Sequence, residues 1–241
     1  MKLNYIDSHK YLSKIKNRKM QDEGEGVDEA EEKPEGNDAQ NEVQFTLPYN
    51  LIMLNGEITD KTGKEVSELL LAFDFKNALT KIMQPIHLMI NSGGGSVTAA
   101  WQICDIMDCI STPVYTIGVG TVASAALAIF INGQRGHRIL SDKTSIMSHQ
   151  YTWGIEGKYK DLVHTQEEFG NIYLRLEKHY KRNTNLSSQV VRKKLLSDDC
   201  WLTAEQAQKF KLCDHVIDFR KYSPFFIALP PKKEKTKGNK K

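Results

Sequence analysis

The chain has 241 residues, 33 of them basic and 30 acidic, for a formal net charge of +3; 40% are hydrophobic and 26% charged. That balance is ordinary for a globular protein, and the length suits one domain with tails. The longest weakly polar run, Val119 to Ile131, falls well short of the ~20 residues that span a bilayer, which argues against a membrane-spanning protein.

Charge is concentrated at the ends. Residues 1–19 hold six Lys or Arg against one Asp, and residues 232–241 hold six Lys against one Glu. Between Asp22 and Glu42 lie ten acidic residues and one Lys. Blocks of this kind are solvated tails, and with much of the positive charge behind a pI near 8.5 sitting at the two ends, a nucleic-acid-binding face is not expected. The expected organisation is an N-terminal extension over 1–45, a folded domain over 46–222 and a basic tail over 223–241. The N-terminus lacks an apolar signal core, and Cys104, Cys109, Cys200 and Cys213 form no CxxC pair. Both features point to a reducing, cytoplasmic setting without a disulfide framework. An organellar transit peptide fits poorly with the acidic run that follows residue 20.

In chain order, Leu51–Leu54 is a short apolar strand that turns at Asn55-Gly56. Thr59–Asn77 has helical spacing, with Val66, Leu69, Leu70, Leu71 and Phe73 available for a core face. Ile86–Ile90 is a second strand, stopped by Asn91-Ser92-Gly93-Gly94-Gly95. Ser96–Cys109 reads as a helix, Val114–Val119 as a third strand and Gly120–Ala123 as a tight turn. Ala125–Ile131 is apolar enough to be a buried helix. Arg138–Leu140 and Ser145–Met147 are short strands, and residues 158–182 form a long charged helix. A shorter helix around Ser187–Leu196, another at Ala204–Phe210 and a closing strand at Val216-Ile217 complete the series. Such alternation predicts an α/β fold with a parallel sheet.

Two glycine-rich junctions carry the chemistry. After the second strand, Gly93-Gly94-Gly95 lets the backbone approach a ligand closely. Neither the GxxxxGK[ST] loop nor GxGxxG is present, which argues against ATP or NAD binding by this chain. At the second junction, Ser124 sits between a strand and a helix among small residues. That is the pattern of a nucleophile elbow, in which the next residue's N–H faces a developing oxyanion. Capping of the following helix is the commoner role for such a serine. Of the histidines, His149 ends a strand, while His137 lies in a polar turn. Asp198 and Asp199 precede Cys200-Trp201-Leu202-Thr203, read as a loop that opens a helix capped by Thr203.

Taken together, INSGGGSVTAA, GTVASAALAIF, IMSHQ and DDCWLTAEQAQ resemble, in order, four segments of the proteolytic subunit of the ATP-dependent Clp protease, a serine peptidase family. The resemblance covers residues 50–218. It implies Ser124 as nucleophile, His149 as base then acid and Asp199 as its orienting carboxylate, with the backbone N–H groups of Gly95 and Ala125 as the oxyanion hole. It also implies a crotonase-like head of repeated β–β–α units with a long handle helix, for which residues 158–182 are the candidate. Two stacked heptameric rings fed by an AAA+ ATPase are implied as well, with ATP on that partner and no cofactor or metal in this chain. Departures from the family pattern are Gly93 in place of Pro, Tyr151 where Pro follows His-Gln, and Lys211 in place of Gly. The alternatives are a viral capsid-maturation protease on the same fold, a catalytically idle ring subunit and a crotonase-like acyl-CoA enzyme.

Overall fold

The computed structural model describes residues 50–150 and 158–221, so the expected N-terminal extension and basic tail lie outside the described residues. Among the described residues seven strands form one sheet, whose main path runs β1 (Asn50–Asn55), β2 (Ile86–Ser92), β3 (Val114–Ala123), β4 (Arg138–Ser141) and β7 (His215–Ile217). β5 (Ser145–Ser148) branches from β3, and β6 (Cys200–Leu202) pairs with β5. Among the described residues every strand pairing is parallel except β5 with β6. The fold is therefore mixed α/β on a largely parallel sheet.

The helices are α1 (Asp60–Thr80), α2 (Val97–Cys109), α3 (Ala125–Ile131), α4 (Tyr159–Thr184), α5 (Ser188–Val190) and α6 (Ala204–Lys209). A π-helical turn, Val191–Leu195, continues α5. Sequence cues set several of the starts. Thr59 Oγ1 accepts from Thr62 N at the head of α1, and Ser96 Oγ accepts from Ala99 N at the head of α2. Thr203 and Gln206 form a reciprocal capping box on α6, in agreement with the predicted cap.

The core lies between the sheet and α2 and α3, with Ile52, Leu88, Ile90, Ile103, Leu127 and Phe130 fully buried. All seven residues of α3 are buried, as its unbroken apolar run requires. Of the residues proposed for the core face of α1, Val66 and Leu70 are buried and Phe73 packs at the core's edge. Leu69 and Leu71 are exposed, because one helix face meets the core and these positions fall off it.

Two expectations are corrected. Gly120–Ala123 is not a turn; it is the second half of β3. The strand first pairs with β4 through Thr116–Gly118, then with β5 through Thr121–Ala123. Gly120, at φ +60, lies in the kink between the two partnerships, and its missing side chain makes room for Asn91. Asn91 Oδ1 accepts from Thr121 N there, and the register against β2 shifts between Ile90 and Ser92. The second correction concerns Cys200–Leu202, which is strand β6 rather than loop. Its pairing with β5 is a contact across some fifty residues that no local pattern announces.

Candidate active site

The switch of β3 from β4 to β5 brings the predicted residues together. Ala123 pairs with Met147, so the residues after them, Ser124 on one strand and Ser148-His149 on the other, emerge side by side. Ser124 N also donates to Met147 O at 2.9 Å. Antiparallel pairing of Ser148 with Cys200 then places Asp199 next to His149. Three strand ends thus converge on one point.

Ser124 has φ +56 and ψ −125, a conformation rarely tolerated outside glycine, and its side chain makes no capping bond to α3. Helix capping is therefore not its role. Its hydroxyl lies 2.7 Å from His149 Nε2, and His149 Nδ1 lies 3.2 Å from Asp199 Oδ1. With the hydroxyl donating to Nε2, Nδ1 carries the ring proton and donates it to Asp199. The His149 side chain is 20% exposed, against 68% for Asp199. The Ser–His contact is thus shielded and the His–Asp contact is wet.

Of the two rival residues, Asp198 gives way to Asp199, whose Oδ1 is the carboxylate oxygen bonded to His149. His137 stacks on Tyr115 with ring centroids 3.8 Å apart, near the opposite end of β3. Burial lowers its pKa, and Asp214 only partly opposes that.

The glycine loop wraps over Ser124. Ile58 N donates to Gly94 O and Ser96 N donates to Ile58 O, at 2.9 and 2.7 Å. Since Ile58 bonds both neighbours of Gly95, the N–H of Gly95 itself faces away from Ile58. A Cβ on Gly94 would lie 2.7 Å from Ser124 Cβ and 3.1 Å from Ala125 N. Only glycine allows this close approach, and Gly94 has the positive φ (+104) to match.

The segments on both sides of the His–Asp pair are anchored to α4. Ser148 Oγ donates to Leu195 O at 2.7 Å and accepts from the Tyr180 hydroxyl at 2.8 Å. Glu177, buried on α4, accepts from Arg192 in the π-helical turn at 2.8 Å. That turn leads directly to Asp199.

Beside Ser124 and His149 is a small cleft of about 20 Å³, enough for a single water. Its walls are Val97, Ala100 and Trp101 from α2, Ala125 and Ala128 from α3, and Leu176 and Tyr180 from α4. The sequence reading missed these wall residues. Their signal was helical spacing: Val97, Ala100 and Trp101 stand at i, i+3 and i+4, and Leu176 and Tyr180 at i and i+4. Among the described residues no group of three or more His, Cys, Asp or Glu could hold a metal ion. None of the described helices is long and apolar enough to cross a membrane.

A protein-family model described as Clp protease matches residues 34–220. The chain belongs to the Clp protease family. Its mixed α/β sheet agrees with that membership, and the family makes it a peptidase. The matched range contains the glycine loop, Ser124, His149 and Asp199.

Proposed function

We propose that this Clp protease family member is a serine endopeptidase in which Ser124 is the nucleophile, His149 the proton carrier and Asp199 the group that orients it. The observation that carries the reading is the 2.7 Å contact between Ser124 Oγ and His149 Nε2, made by a serine in strained backbone geometry that caps nothing.

Ser124 Oγ attacks the substrate carbonyl carbon as its proton passes to His149 Nε2. Asp199 fixes the Nδ1–H tautomer and stabilises the imidazolium. The carbonyl oxygen, now an oxyanion, accepts from the N–H groups of Gly95 and Ala125; each such donor is worth about 3–4 kcal/mol in the transition state. The C–N bond then breaks, His149 gives its proton to the leaving amine, and an ester to Ser124 remains. Water, deprotonated by His149, hydrolyses that ester and restores the serine.

The same reading includes a head of repeated β–β–α units, α4 as the handle helix, stacked heptameric rings and an AAA+ ATPase that supplies unfolded chains. Exposed apolar side chains support a partnered surface: Leu69, Leu71, Phe75 and Leu79 on α1, with Ile82 and Met83 just beyond it.

The test is hydrolysis of a fluorogenic peptide by the full-length chain and its variants. Ser124→Ala and His149→Ala are each expected to lower kcat by about 10⁴-fold or more, with KM little changed. Activity retained by Ser124→Ala overturns the reading.

A further inference from the structure

The cleft beside Ser124 is narrow, and its walls are held in place. Trp101 stands edge-on to His179, with ring centroids 5.0 Å apart and planes at 74°. His179 is buried and donates Nε2–H to Ala128 O at 2.9 Å, so a wall residue from α2 is braced through α4 onto a wall residue of α3. Tyr180, another wall residue and the neighbour of His179 on α4, is buried and its hydroxyl is committed to Ser148. A bulky group entering the cleft must break this bracing or displace an aromatic ring, because close-packed interiors transmit such strain.

We propose that Trp101 sets the size of this cleft, and that the cleft receives the side chain on the acyl side of the scissile bond. Hydrolysis is thereby restricted to bonds that follow small residues: Gly, Ala, Ser or Cys. The proposal rests on Ser124 as nucleophile, since only then does the cleft flank the reacting carbonyl. A methyl group fits in space for one water; leucine or phenylalanine does not. Trp101 acts here through shape alone, so it is a specificity residue and takes no part in bond making.

The experiment uses fluorogenic peptides identical except for Gly, Ala, Val, Leu or Phe before the scissile bond, with Ser124 titrated in parallel by a fluorophosphonate. In wild type, kcat/KM for Ala exceeds that for Leu and Phe by about 10-fold or more, the scale on which a tight pocket discriminates added carbons. Trp101→Leu raises the Leu-to-Ala ratio by a similar factor. Ala128→Val, which fills the same space from α3, lowers Ala relative to Gly and tests the cleft even if Trp101→Leu fails to fold. Equal or faster cleavage after Leu or Phe in wild type, with Ser124 labelled, overturns the size limit and leaves the nucleophile standing. Absence of labelling together with absence of hydrolysis overturns both.

Discussion

Tyr180 on α4 donates a hydrogen bond from its hydroxyl to Ser148, the residue immediately before His149, and Ser148 in turn donates a hydrogen bond to the carbonyl of Leu195, four residues before Asp199. One buried chain of two hydrogen bonds thus ties a long helix to the backbone on both sides of the His–Asp contact. Burial pushes the Tyr180 pKa upward, so the hydroxyl stays protonated and remains a donor across the working pH range. Tyr180→Phe removes one buried hydrogen bond and leaves a lone pair of Ser148 unmet. The expected loss is about 1–2 kcal/mol in urea unfolding, with a several-fold fall in kcat as the imidazole loses its support. Unchanged stability and kcat contradict the anchoring role.

Gly94 is the tightest constraint on the nucleophile. A methyl group there meets Ser124 Cβ at 2.7 Å and Ala123 O at 3.0 Å, and the backbone is already at positive φ. Gly94→Ala is expected to displace Ser124 and lower kcat by about 10²-fold, the cost of a misplacement near 1 Å. A folded Gly94→Ala variant with wild-type turnover is the opposing result.

Stability should depend on pH through His179. Burial is the main cause that lowers its pKa to about 4, and the hydrogen bond to Ala128 only partly counters this. Below the ordinary histidine pKa of ~6.5 the unfolded chain takes up a proton that the folded chain refuses. The contribution is therefore complete above pH 6.5 and declines as the pH falls towards 4, by at most roughly 3 kcal/mol. Thermal melts between pH 7 and 4, wild type beside His179→Gln, check this. The variant should show the weaker pH dependence.

Arg138 and Asp214 hold the edge formed by β4 and β7. The guanidinium donates Nε to Asp214 Oδ2 at 2.9 Å and Nη2 to Oδ1 at 2.8 Å, and Gly136 N adds a further bond. Burial works to raise the Asp214 pKa, but these bonds and the charge of Arg138 outweigh it and keep the carboxyl ionised. Asp214→Ala leaves a buried cation unpaired and should cost about 3 kcal/mol of stability. Because the pair sits at the starts of β4 and β7, with Asp214 the residue just before β7, and touches none of Ser124, His149 and Asp199, kcat per folded molecule should be unchanged.

The parts of the site that sequence exposes are those governed by local chemistry. Ser124 stands out because a small-residue strand-to-helix junction has few uses, and the glycine loop because three consecutive glycines suit neither helix nor strand. Thr203 could be read as a cap from its spacing to Gln206. Features decided by distant pairing were hidden. Gly120 looks like a turn residue, yet the strand continues through it because β5 is waiting on one side. Cys200–Leu202 is too short to announce a strand without Ser145–Ser148 beside it. The Tyr180–Ser148 bond and the π-helical turn before Asp199 depend on how α4 docks, and that docking leaves no short motif.

The most direct measurement is fluorophosphonate labelling of the full-length protein, with the modified residue located by peptide mass spectrometry. The account predicts a single adduct on Ser124, lost in Ser124→Ala and much slowed in His149→Ala, because an unactivated serine does not react. An adduct on another residue, or labelling of Ser124 at the same rate without His149, contradicts it.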